Sequence, residues 1–141
     1  MAAARTTESH FRAAQVLSEA VLHQEIGGRD VMRAQLQHPL DLEGREWVKV
    51  QVLPFEAGAH ARLMGAFDLL RFDDDPDLVY TEDFVHGHMA ANPQALREGS
   101  LRSDHLQAAA LPVAESAALI ARVMEERCGP EHEQPGRRTV A

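Results

Sequence analysis

Trp47–Pro54 reads WVKVQVLP, and its alternation sets the fold class. Side chains alternate across a strand, so Val48, Val50 and Val52 point one way while Trp47, Lys49 and Gln51 point the other. β-Branched residues along one side suit a pleated, half-buried strand. The same period recurs beyond the loop Glu56–Gly65, in Phe67–Phe72 and in Leu78–Asp83. Between those two runs stands DDDPD (73–77), whose Asp and Pro residues suit a turn and discourage edge pairing. An antiparallel hairpin is predicted there, and the three strands together make one small sheet.

Away from this centre the period changes to that of helices. Upstream, Gly27-Gly28 is a break, Asp30 suits an N-cap, and Met32, Leu36 and Leu40 share a helical face that Pro39 kinks or ends. Before the break, Phe11–Leu17 reads equally as a short strand or as a helix running into Ser18–Leu22. Downstream, Asn92 caps a helix with Pro93 in its first turn. A last helix starts near Pro112, with Val113, Ala117, Ile120 and Met124 as its buried stripe, and Gly129-Pro130 stops it. The expectation is an α+β fold, a small antiparallel sheet packed against several helices. Residues 1–10 form a flexible N-terminus, 11–128 the single domain and 129–141 a polar tail.

Composition narrows the function classes. The chain has 141 residues, 45% of them hydrophobic, enough for one domain with a real core. Asp and Glu outnumber Lys and Arg by 22 to 14, for a net charge of −8, which disfavours direct binding to nucleic-acid phosphates. No apolar run reaches the length of a membrane span, and MAAARTTESH is no secretory leader. Cys128 is the sole cysteine, so no internal disulfide and no thiolate metal cage can form. A cytoplasmic location fits these features.

Several segments together resemble a known family. They are QVLPFEAGAHARLMGAF (51–67), LVYTED (78–83) and AAALPVAESAALIARVMEE (108–126), with VLSEAVL, Gly27-Gly28 and VMRAQL ahead of them in order. From about Gln15 to Glu126 the chain is similar to domain-of-unknown-function family 5753, the C-terminal companion of helix-turn-helix domains in actinobacterial, antitoxin-like regulators. That resemblance implies an effector or partner domain. The departures are a missing helix-turn-helix part, Pro39 in place of an aliphatic residue, and Gly99 and Ser103 in place of large aromatics. His86 and His88 also stand in a loop usually rich in glycine.

Gly99 and Ser103 lie four apart, on one helical face. Two small residues there either let neighbours refill the space or open a pocket. Tyr80 and Glu82 share a strand face and could act beside such a pocket as hydrogen-bond donor and general base. The competing reading is a polar pair on a half-solvated sheet that belongs to the family scaffold. His60 could reach a site at the sheet end, or brace its own loop. Glu19 could border a ligand pocket, although a first-turn helix acid is the better structural reading. His86 and His88, with Glu82 and Asp83 nearby, supply too few ligands for a metal site. Cys128 lacks the electropositive setting of a nucleophile.

These features favour a stand-alone small-molecule-binding domain derived from a regulator's sensor half. In a stronger form it is a cofactor-independent enzyme of specialised metabolism, a cyclase or isomerase working by acid–base chemistry at Glu82, Tyr80 and His60, with Gly99, Ser103 and Glu19 around the ligand. The alternative is a regulatory or antitoxin-like module that binds another protein. No cofactor, metal or membrane is implied, and the oligomeric state is open, a homodimer included.

Overall fold

A computed structural model describes residues 12–57 and 65–129. The expected flexible N-terminus at 1–10, the tail beyond Gly129 and the candidate His60 lie outside the described residues. The elements run β1 (Ala13–Ser18), α1 (Glu19–His23), α2 (Arg29–Asp41), β2 (Val48–Leu53), β3 (Phe67–Leu70), β4 (Leu78–Glu82), β5 (Gly87–Ala90), α3 (Pro93–Ala109) and α4 (Val113–Cys128). The class is α+β, as the change of period along the chain predicts.

The strands form two sheets rather than one. β2 does not join the hairpin; it pairs in parallel with β1, from Ala13↔Val48 to Ser18↔Leu53. The segment left ambiguous at Phe11–Leu17 is therefore largely a strand, and α1 and α2 supply the crossover that a parallel pair requires. The far edge of β2 is sealed by the start of α4. Val52 N donates to Ser116 Oγ at 2.9 Å, Leu111 N donates to Val52 O at 2.9 Å, and Ser116 Oγ donates to Leu111 O at 3.1 Å. With Val52 and Ser116 fully buried, the end of β2 is closed on both sides and leaves β3 no edge to pair with at Val52.

Valines of β2 supply one wall of the core. Val52 packs with Leu22, Met32, Leu36, Leu119, Ile120, Val123 and Met124, and Val50 and Leu40 border the cluster. The α2 face is the one expected. In α4 the expected Ile120 and Met124 are buried, but Val113 and Ala117 are only half-buried and Ser116, Leu119 and Val123 take their place. The start of α2 also needs correction. Gly28, at φ +90°, is the N-cap and Asp30 sits inside the first turn, where its carboxylate faces the positive end of the helix dipole. Pro39 falls in the last turns, and the helix closes at Asp41.

The second sheet has the order β3-β4-β5, antiparallel throughout, with Leu69↔Val79 and Val79↔Ala90 in register. β5 is an addition to the sequence reading, which left His86–His88 in a loop. Asn92 caps α3 through its side chain, which accepts from Ala95 N at 2.9 Å, with Pro93 in the first turn as predicted. α3 lies on the face that carries Leu69 and Val79.

Candidate functional site

Gly99 decides how closely α3 approaches the sheet. It is buried, and a Cβ built on it would meet Val79 Cγ2 at 2.8 Å and Leu69 Cδ1 at 3.8 Å. The space given up by a small residue is occupied by Val79, so at Gly99 the refilled outcome holds and the pocket expected there is corrected. Ser103, one turn on, is half-buried and its Oγ accepts from Gln107 Nε2 at 3.0 Å. Arg102, on the same helix, lies over the Phe67 ring at 5.3 Å.

Tyr80 and Glu82 do come together, on the face of the sheet turned away from α3. Tyr80 Oη donates to Glu82 Oε1 at 2.6 Å. Room for the phenol comes from Gly87, since a Cβ there would stand 2.5 Å from Tyr80 Oη. The hydrogen bond to Glu82 is the main cause that raises the Tyr80 pKa, followed by desolvation and by the charges of Glu82 and Asp68. Tyr80 is therefore a protonated donor near neutral pH. Glu82 is exposed, so it lacks the desolvation on which its role as a base depends.

Glu19 stands at a different place. Ser18 caps α1 through its hydroxyl, and Glu19 opens the helix as the first-turn acid. Its Oε2 accepts from Phe55 N at 2.7 Å and its Oε1 lies 3.6 Å from His23 Nε2, while the His23 and Phe55 rings stack at 5.6 Å. This set ties the end of β1 to the turn after β2. It does not touch Tyr80, Glu82 or Gly99 in any of these bonds.

The most developed local arrangement is the β4–β5 turn, Asp83–His86. Asp83 Oδ1 accepts from Val85 N at 2.8 Å and His86 N at 2.7 Å, and Asp83 N donates to His86 O at 2.9 Å. Asp83 Oδ2 lies 2.8 Å from His88 Nε2. The His88 bond and then the two backbone donors hold the Asp83 carboxyl down to about 2. The turn so fixed projects Phe84 at 103% exposure and Val85 at 70%, and Met89 on β5 is 75% exposed. Sequence reasoning passed over Phe84-Val85; the available signal was two large apolar residues in a turn between β-runs, where polar residues are usual.

Register places Asp68, Leu70, Leu78, Tyr80, Glu82 and Met89 on that same outer face. A small, open, mostly apolar depression lies elsewhere, between α2, β2 and α4, lined by residues including Pro39, Leu42, Val48 and Ile120. Of the described candidate site residues, Glu19, Tyr80, Glu82, Gly99 and Ser103, none borders it. Among the described residues, no three His, Cys, Asp or Glu side chains converge as a metal site, and no single helix is long and apolar enough to cross a membrane.

Fold and surface together define a small α+β domain with a parallel strand pair on its core and an exposed antiparallel sheet beside it. The chain belongs to the family described as Domain of unknown function (DUF5753), whose model matches residues 2–122. No curated protein matches it, and no solved structure does.

Proposed function

We propose that the chain is a protein-interaction module that engages its partner through the outer face of β3–β5 and the turn Phe84–Val85. One observation carries this reading: two large apolar side chains at 103% and 70% exposure stand on a turn fixed by the Asp83 carboxylate. A mobile loop could fold its apolar residues back; a turn held by its own side-chain bonds keeps them in solvent. Such preorganisation lowers the ordering cost of binding, and a projecting aromatic with a neighbouring tyrosine is the usual make-up of an interface centre. On this reading Tyr80 and Glu82 are contact groups, and Glu19, Gly99 and Ser103 are structural.

The small-molecule reading draws its pocket from Gly99 and Ser103, and Val79 fills the first of these positions. The interaction reading therefore has the better support. Its test is position-specific photo-crosslinking in cells that make the protein, with the photoreactive residue at 84 or, as a control, at Gln35 on exposed α2. A discrete adduct from position 84 alone is expected, and the identified partner should bind the purified chain and lose affinity with Phe84→Ser. Equal labelling from both positions, or none from 84, overturns the proposal.

A further inference from the structure

Among the described residues β5 is the outermost strand of its sheet. Its sequence, Gly87-His88-Met89-Ala90, holds none of the devices that keep a sheet edge from pairing, neither lysine nor proline nor an acidic side chain. The other edge strand, β3, carries Asp68 within its four residues. The ladder also shows which backbone groups are available. The bond from Asp83 N to His86 O marks these two as a hydrogen-bonded pair. Bonded and non-bonded pairs alternate, so Thr81↔His88 is bonded within the sheet, while Gly87 and Met89 turn their N–H and C=O groups outward. Gly87, His88 and Met89 are all exposed, so this row is open to a further strand.

Charge selects the kind of strand. Glu82 and Asp68 share the outer face with Met89 and Tyr80, and the chain as a whole carries −8. A second acidic copy is repelled, whereas a cationic segment is drawn in. Resting on the reading of the chain as an interaction module, we propose that its partner binds by strand addition. An extended segment rich in apolar and cationic residues pairs with the free edge of β5 through Gly87 and Met89. Its apolar side chains cover Met89 and Tyr80, and its lysine or arginine side chains reach Glu82. Backbone pairing supplies the registration and the side chains supply selectivity.

The experiment titrates the full, isotope-labelled chain with a capped peptide of alternating valine and lysine, followed by amide NMR and hydrogen exchange. Two twin peptides serve as controls, one with glutamate for lysine and one N-methylated along one edge. The lysine peptide is expected to shift the β5 signals and to slow exchange at Gly87 and Met89. Both twins should bind about tenfold or more weakly, one by charge and the other by its missing donors. Met89→Pro removes an outward N–H without breaking the pairing to β4, and should weaken the lysine peptide by a similar factor, about tenfold. Because the methylated peptide leaves the protein untouched, the result stands even if that variant folds poorly. Equal binding by the three peptides, or shifts confined to other elements, overturns strand addition. Protection of Gly87 and Met89 that grows with protein concentration alone overturns it in favour of a second copy. A position-specific adduct at 84 with a β5 edge silent to the peptide sinks strand addition alone; absence of that adduct sinks the module.

Discussion

Tyr80 is the sole tyrosine in the chain, so its ionisation can be followed without assignment. Its phenol is raised chiefly by donation to Glu82, and Gly87 gives that bond its room. Glu82→Gln is expected to lower the tyrosinate midpoint towards the ordinary value, read by near-ultraviolet absorbance. Gly87→Ala should do the same by displacing the ring. An unchanged midpoint in both variants would show that the 2.6 Å bond does not persist in solution. Asp83 makes the opposite case. Its folded pKa is depressed, so its contribution to the turn is complete above the usual carboxylate range and is lost as pH falls towards about 2. His88→Ala removes the largest cause and should raise the Asp83 midpoint, seen by carboxyl-carbon NMR. If the midpoint stays put, the backbone donors of Val85 and His86 alone hold the carboxylate.

Among elements, the contact of α3 with β4 is the least forgiving. Alanine favours a helix over glycine by about 1 kcal/mol. At Gly99 that gain meets a Val79 methyl 2.8 Å from the new Cβ, on a stiff β-branched side chain that is itself buried. Overpacking of this kind costs about 1–3 kcal/mol, so Gly99→Ala should be neutral at best and more often destabilising. Val79→Ala in the same chain should restore part of the loss, and denaturant melts of the two single variants and the double measure the coupling. Additive effects would mean that α3 simply moves away. The same contact shows where sequence reading ends. The Asn92 cap, the alternation of β2 and the α2 face are local patterns, and the structure repeats them. Small residues at 99 and 103 were equally legible, but whether space opens or closes depends on Val79, a residue twenty positions away and invisible to periodicity. The partner of β2 was lost for a similar reason. Ala13–Ser18 has little alternation, consecutive strands usually pair, and nothing local announces that Ser116 and Leu111 close the other edge. Of the candidate site, Tyr80 and Glu82 were visible as a strand pair, whereas the Asp83 turn needed the His88 contact across β5 to appear.

Taken as a whole, the molecule distributes its core unequally. Leu22, Met32, Leu36, Val52, Leu119, Ile120, Val123 and Met124 form one cluster, all on α1, α2, β2 and α4. The sheet β3–β5 contributes Val79 as its buried apolar side chain and meets α3 at Gly99, which has no side chain to bury. Local stability follows buried apolar contact, so the half that bears the proposed binding face should open before the half that holds the core. Native-state hydrogen exchange is expected to show two classes of amide: those of β2, α2 and α4 released only by global unfolding, and those of β3–β5 released earlier. Substitutions separate the classes. Ile120→Ala should cost about 2–5 kcal/mol and lower the protection of the core amides, while amides that exchange through the opening of β3–β5 alone shift little. Val79→Ala weakens the native state against both openings, so it should lower protection in β3–β5 and in the core amides alike. A single class of amide, moved equally by both substitutions, would show that the thin contact at Gly99 couples the halves as tightly as a continuous core. In that case the exposed sheet owes its order to the core rather than to its own turn, and a partner on β5 would stabilise the whole chain rather than its own half.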